Sequence, residues 1–532
     1  MKKLLILTAL ILSSAVLPAR ASVLVVYHTS DVHGSYATHK AGAAFGADSA
    51  KMIGGYPVLV SLVKQEKNPY ILLDSGDIFQ GTPEGVASRG MASVDFMNLA
   101  GYSAVAVGNH DFDYGSDVFK KIALKLKAGM LSANLTFSPE LKKKPDYVKP
   151  YIILNKAGRK IAVIGLSNKI TTEAGHDLGK EIQGFEDEAF TVVEIVKKVR
   201  DAENPDYVIL LNHNGTFGDV FGGRIIDAAK EKISDGDPGY TGIEMARLAR
   251  EIDGKGVDLV LSGHEHTGLS NGYYDKESGT WFSESGTKLN YVSRIEIHFN
   301  DKTGMPEKTK IKLIPLWAEK YGEDARALKL VRKYSALVQK QMSRVVGKTA
   351  EGINAGDSVL DNPLAQWTCL ITGAEAGGEI SSQNSSSFSV GLPAGNVTLK
   401  DLYKSMKFDN TLYRIQMPGK GIIELVKDNF KENDKTTVYF SGIEVEYTKG
   451  KKGPENIKVL REGKPLNPER IYTVISNDYF VNVCKTGGAF KRTAVKIENT
   501  GFGVRETMQK HLEATLKAAP LQSNWPSAYR AR

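Results

Sequence analysis

The sequence predicts an α/β fold, a larger alternating domain followed by a smaller α+β one, and three observations point to it. Short apolar runs alternate with amphipathic stretches through the first half of the chain, the pattern of strands laid down between helices. Residues 319–345 have the length and the Ala/Leu/Lys/Arg content of one long helix, with Leu328, Val331, Tyr334, Leu337 and Val338 at helical spacing. A chain of 532 residues is also long for a single hydrophobic core.

Taken in order, the first segment stands apart from the fold. Lys2 and Lys3 precede an apolar run at 4–12, and Ala19-Arg20-Ala21 offers small residues at both positions a signal peptidase reads. Residues 1–21 are therefore expected to be a cleaved export signal, leaving Ser22 first in a secreted or periplasmic protein. Spanning a bilayer takes about 20 apolar residues. Neither this run nor any later one reaches that, so no membrane insertion is expected.

Strands are expected at 23–29, 70–74, 104–107, 160–165, 207–211 and 258–262, and helices at 56–66, 115–127, 188–200 and 242–252. From about Asp301 the strands thin out, and the helix at 319–345 separates a domain of residues 22–318 from one of 346–532. The second domain has a polar stretch at 381–389 (SSQNSSSFS), strand-like segments at 411–417 and 437–447, and a helical one near 505–518.

The formal charge of +8 includes Lys2, Lys3 and Arg20, which leaves +5 on the mature chain. An excess that small, spread along the chain, fits an anionic small molecule and carries no footprint of nucleic acid. Cys369 and Cys484 are the two cysteines, able to pair in an oxidising compartment or to stay as thiols.

The residues that carry chemistry sit where expected strands end. The five loops read Ser30-Asp31-Val32-His33-Gly34, Gly76-Asp77-Ile78-Phe79-Gln80-Gly81, Gly108-Asn109-His110-Asp111-Phe112-Asp113, Asn212-His213-Asn214-Gly215 and Gly263-His264-Glu265-His266. Ligands in open α/β sheets bind outside the carboxyl ends of strands, so these loops can converge. Five of the ten histidines fall in them. Any one motif is a common hydrogen-bonded turn; five in this order point to a dinuclear metal site.

With these motifs the chain resembles the calcineurin-like metallophosphoesterases, and among them the bacterial secreted 5'-nucleotidase and 2',3'-cyclic-nucleotide phosphodiesterase family. The resemblance is sharp over residues 22–300 and looser afterwards. It implies a four-layer domain of two sheets flanked by helices, the connecting helix, and a smaller α+β substrate domain. It implies two divalent ions, one held by Asp31, His33, Asp77 and His266, the other by Asp77, Asn109, His213 and His264, with Asp77 bridging. Mixed imidazole and carboxylate ligands suit Zn, Mn or Fe better than Ca or Mg. The family mechanism is attack of a metal-bound hydroxide on phosphorus. His110 paired with Asp113 then stabilises the phosphoryl group or protonates the leaving oxygen. Asp111 stands where the family often has Glu.

Family members recognise nucleotides with an Arg and two aromatics of the C-terminal domain. Here Asn384 holds the family's Asn position and Phe440 its first aromatic, while Phe490, Tyr479 or Phe480 offers the second. Ser389 stands at the Arg position and Ala489 at the acidic one, with Arg492 nearby as a substitute. The resulting expectation is an enzyme acting on nucleotides or related small phosphate esters. The alternatives are a phosphodiesterase or other phosphomonoesterase with a non-nucleotide substrate, and a non-catalytic binding protein. The sequence sets neither the metal nor an oligomeric state.

Overall fold

The computed structural model describes residues 23–168, 178–217, 224–231, 241–355, 362–388, 390–406, 410–430, 438–450, 453–482, 484, 487–523 and 525–531. The expected signal at 1–21 and Ser389 lie outside them. The described residues form two units, one reaching Val331 and the other starting at Arg332.

The first unit is built on two six-stranded sheets. One comprises β1 (Val23–Thr29), β2 (Tyr70–Asp74), β3 (Ala104–Ala106) and β4 (Gly129–Leu131), and the other β5 (Tyr151–Lys156), β6 (Arg159–Leu166), β7 (Tyr207–Asn212), β8 (Leu259–Ser262), β9 (Tyr273–Asp275) and β10 (Thr280–Glu284). A hairpin of β11 (Tyr291–Phe299) and β12 (Pro306–Pro315) returns to the first sheet, giving the orders β12-β11-β1-β2-β3-β4 and β9-β10-β8-β7-β6-β5. The runs β1-β2-β3-β4 and β6-β7-β8-β10 are parallel, so their carboxyl ends open on one edge of each sheet.

Period-two alternation explains how the sheets pack. Leu24, Val26, Ile71, Leu73, Ile161, Val163, Ile209, Leu211, Leu259 and Leu261 share one core drawn from both sheets. The alternate residues Ala162, Ile164, Val208 and Leu210 join a second core with Val192, Val196, Met245 and Ala249. These last belong to α1 (Glu188–Glu203) and α2 (Gly242–Asp253), so helices cover the far face of the second sheet. Both helices start on side-chain caps, Asp187 for the first and a Thr241/Glu244 capping box for the second.

Two expectations are corrected here. Strands do not thin out at Asp301, because Pro306–Pro315 is the longest strand of this unit, paired along its length with β11. The helix expected at 319–345 is a short turn, Ala318–Tyr321, followed by a helix at Ala325–Met342. Gly322, at φ 72°, breaks the run. Asp324 then starts the helix afresh, its Oδ1 accepting from the backbone N–H of Arg326 at 3.0 Å and Ala327 at 3.2 Å.

The second unit holds a five-stranded sheet in the order Val438–Ser441, Ile380–Asn384, Ile471–Asn477, Thr411–Pro418, Lys496–Gly503, and a four-stranded one around Glu444–Gly450. The polar stretch at 381–389 begins as a fully buried central strand. Cys369 is a buried free thiol whose Sγ lies 3.4 Å from the Tyr439 carbonyl, so the two cysteines are not joined. Among the described residues, no helix is long and apolar enough to cross a membrane.

Candidate metal centre and active site

All seven candidate ligands fall at the carboxyl ends of parallel strands, and the backbone there is unusual. Asp31, His33, Asp77, His264 and His266 have φ of 51°, 47°, 59°, 81° and 59°. Left-handed φ is uncommon for residues with a Cβ, and its clustering marks a site where surrounding contacts over-determine the chain. The contacts are visible. Asp31 N–H donates to Gly76 O and His33 N–H to Asp77 O, each at 3.0 Å, so the first two loops run locked side by side. The glycines permit the approach: a Cβ on Gly108 would stand 2.2 Å from Asp77 Oδ1.

The side chains converge. The ligand atoms of Asp31, His33 and His266 lie within 4.8 Å of one another, and so do those of Asp31, Asp77 and His213. Asp77 Oδ2 is 3.1 Å from His213 Nε2 and 3.8 Å from His33 Nε2, within reach of both groups. Asn109 Oδ1 lies 3.1 Å from both His213 Nε2 and His264 Nδ1. The backbone N–H of His264 donates to both oxygens of Asp31, at 3.0 and 3.1 Å.

Two tautomers follow from these contacts. A carbonyl only accepts, so His33 Nδ1, 2.9 Å from Gln80 O, carries its proton, as does His213 Nδ1, 2.6 Å from Ser75 O. In the neutral rings each Nε2 then turns a lone pair into the cluster, that of His213 toward Asp77 Oδ2 at 3.1 Å and that of His33 toward His266 Nε2 at 3.0 Å, with Asp77 Oδ2 at 3.8 Å. Lone pairs meeting lone pairs repel unless positive charge sits among them, which is the arrangement a cation completes. The electrostatics show the same demand for positive charge, met without an ion by a proton on His213. Burial opposes a charged His213, yet Asp77, Asp31 and the Ser75 carbonyl raise it to about 9. Burial likewise opposes ionised Asp77, but His213 and His110 hold its carboxyl well below the usual range. His33 and His264 are pushed down by burial to about 3 and stay neutral, the form that binds metal. The donor set therefore fits divalent ions.

His110 borders this cluster, its ring 5.6 Å from that of His33. Its Nδ1 contacts both Asp113 oxygens, at 3.1 and 3.0 Å, which leaves Nε2 for an incoming group. Burial opposes the imidazolium, but Asp113, Asp77 and Asp111 outweigh it and raise the ring to about 10. Asp111 itself points inward. It accepts from Gly108 N–H at 2.8 Å, Ile78 N–H at 3.0 Å and Asp77 N–H at 3.2 Å, clamping two of the ligand loops together. Sequence reasoning left this residue without a part; its signals are its place inside a loop of ligands and an acidic position where the family often has Glu.

The C-terminal candidates are placed differently. Phe440 and Phe490 are buried in the core of their unit, and Phe490 meets the Phe480 ring edge-on at 5.5 Å. Asn384 Oδ1 accepts from Asn477 Nδ2 at 2.7 Å and from Ser387 Oγ at 3.0 Å, inside the sheet. Ala489 is buried, and Arg492 is held by Glu424 and Asp428. Tyr479 keeps an exposed ring.

Comparison with known proteins meets this geometry. Residues 24–268 match the calcineurin-like phosphoesterase family, and residues 345–492 match the 5'-nucleotidase C-terminal domain. Protein UshA of Yersinia enterocolitica is 24% identical over 536 residues, covering 94% of this chain and 92% of the relative. A 5'-nucleotidase of Vibrio vulnificus is 25% identical over 538 residues, covering 94% and 91%. Among solved structures, a putative 5'-nucleotidase from Staphylococcus aureus shares the fold with a TM-score of 0.67 at 16% identity, over 96% of this chain and all of that one.

Proposed function

The chain belongs to the calcineurin-like phosphoesterases that carry a 5'-nucleotidase C-terminal domain, and is a metal-dependent phosphoester hydrolase; from that premise we propose how its residues divide the work. Asp31, His33, Asp77 and His266 hold one divalent ion, and Asp77, Asn109, His213 and His264 hold a second, with Asp77 shared. Zn, Mn or Fe fits this donor set. When bound, such ions supply Lewis acidity for the phosphoryl oxygens and lower the pKa of attacking water. The observation that carries the reading is the convergence of donor atoms: His33 and His213 each spend Nδ1 on a backbone carbonyl and turn Nε2 into the cluster, 3.8 and 3.1 Å from Asp77 Oδ2.

The protein's own contribution is positional. Asp113 orients His110 through Nδ1, so Nε2 can hydrogen-bond a phosphoryl oxygen and deliver a proton to the leaving oxygen. The Asp111 clamp keeps Asp77 against Gly108, and Asp31 tethers the His264 loop to the first sheet. Substrates are nucleotides or similar small phosphate esters outside the cytoplasm, a reading supported by the nucleotidase relatives and the Lys-rich, then apolar, then Ala-x-Ala start of the chain. The test is metal content and hydrolysis of a mononucleotide in wild type and Asp77→Asn. We expect two ions per chain in wild type, and in the variant fewer ions and no activity. Retention of both ions and activity by Asp77→Asn would remove the shared ligand.

A further inference from the structure

We propose that His28 and Ser75 are positioning residues: a buried polar bolt that sets the register of the two sheets directly beneath the metal centre. The dinuclear site proposed above draws on both sheets. Asp31, His33, Asp77 and Asn109 follow β1, β2 and β3, whereas His213, His264 and His266 follow β7 and β8. Its geometry therefore depends on how one sheet sits over the other. The core between them is apolar, and hydrophobic contact is non-directional, so it holds the sheets together without fixing their slide.

The inward rows end in polar groups. Leu24 and Val26 of β1 face the core and His28 is next in that row; Ile71 and Leu73 of β2 face it and Ser75 is next. Ser75 Oγ lies 3.0 Å from the carbonyl oxygen of Leu261, on β8 of the opposite sheet, and can only donate to it. It must then accept from His28 Nε2, 2.8 Å away. The Ser75 carbonyl in turn receives His213 Nδ1 at 2.6 Å, again across the sheets. A single serine thus links β1, β8 and the ligand that follows β7.

His28 is a poor residue for stability alone. It is fully buried, and Nδ1 has no partner once Nε2 is committed to Ser75. Leaving such an atom unpaired is unfavourable, and an apolar side chain in an apolar row would avoid it. A directional contact retained at that disadvantage fits the role of specifying one arrangement.

The inference rests on the dinuclear reading, and the experiment separates the two. Metal-free wild type, His28→Leu, His28→Gln, Ser75→Ala and the His28→Leu/Ser75→Ala double variant are titrated with Mn2+ by calorimetry, and their metal-free melting temperatures are recorded. We expect His28→Leu to melt within a few degrees of wild type or above it. Its affinity for at least one Mn2+ should fall about 10- to 100-fold, the usual loss when a partner of a ligand is removed. Ser75→Ala, which keeps the carbonyl that holds His213, should lose a similar factor, and the double variant no more than the worse single one. His28→Gln, which retains a donor, should recover part of the affinity. Unchanged isotherms in the variants that fold, or losses that only follow melting temperature, would overturn the bolt. Uptake of fewer than two Mn2+ by wild type would overturn the dinuclear reading instead.

Discussion

Replacing Asp111 by Asn changes one buried atom and puts the loop clamp to the test. Asp111 Oδ1 accepts from Ile78 N–H at 3.0 Å, and Oδ2 from Gly108 and Asp77 N–H at 2.8 and 3.2 Å. An amide offers one oxygen, so either orientation turns its NH2 against at least one backbone N–H. A hydrogen bond to a charged group contributes about 1.5–3 kcal/mol, and an orphaned buried donor costs about 1–3 kcal/mol. These overlap in one contact, and a loss of about 3 kcal/mol is the working figure. For a large domain that is a fall of about 6–12 °C in Tm. Because Asp77 is one of the residues released, kcat should also fall about 10- to 100-fold. The assay is thermal unfolding of the metal-free protein together with phosphate release at saturating metal, both at pH 8. Burial and the neighbouring Asp77 push Asp111 up to about 7, so the carboxylate prevails there. Wild-type Tm and kcat in Asp111→Asn would show that the three contacts position nothing.

His110→Ala should keep both ions while kcat falls about 10²–10⁴-fold, the scale of a lost acid–base group; loss of metal in this variant would make His110 a ligand. Glu66 should support acid stability. Burial opposes its charge, but the Asn68 N–H, the Arg294 guanidinium and the Tyr27 hydroxyl hold it down at about 2 against an ordinary 4.5. Its stabilisation is present above pH 4.5 and lost as pH falls toward 2, so Tm should drop more steeply over that window in wild type than in Glu66→Gln; parallel curves would refute this. Discrimination among substrates should be weak, with kcat/KM for a mononucleotide less than about a thousandfold above that for a sugar phosphate, or about 4 kcal/mol. A larger preference, measured on a panel of both, would mean that the C-terminal unit reads nucleotides by other groups.

The placing of the site was legible because two local codes coincide in it. Strands such as Tyr207–Asn212 are short, apolar and alternate in or out of the inter-sheet core, and the loop after each is rich in Gly, Asp, Asn or His. Loop residues at strand ends report themselves through composition. His28 does not, because a histidine inside a strand looks like any core residue until its partner across the sheets is known. Nor does composition show the left-handed turns at Asp31 or His264, which are imposed by loops far away in sequence. The helix drawn over 319–345 ran too far at its start for a simpler reason. Residues 322–324 carry a Gly stop and an Asp cap, and helical content on both sides hid them.

The C-terminal unit defeats the reading of polarity as exposure. Residues 381–384 are Ser, Ser, Gln and Asn, and all are buried in the middle of a sheet. That is tolerable only because each finds a partner remote in sequence. Ser382 Oγ meets Ser476 Oγ at 3.0 Å, and Asn477 Nδ2 donates to Gln383 at 2.8 Å and Asn384 at 2.7 Å. Asn410 Nδ2 in turn donates to Asn477 Oδ1 at 3.0 Å. A half-satisfied network of this kind would be worse than an apolar core, whereas a completed one rigidifies it. The consequence reaches function. Both lone pairs of Asn384 Oδ1 are used by Asn477 and Ser387, and Arg492 is held by two carboxylates. Polar capacity that the sequence offers to a nucleotide is thus spent on folding this unit, which is why the chemistry is so much easier to read here than the choice of substrate.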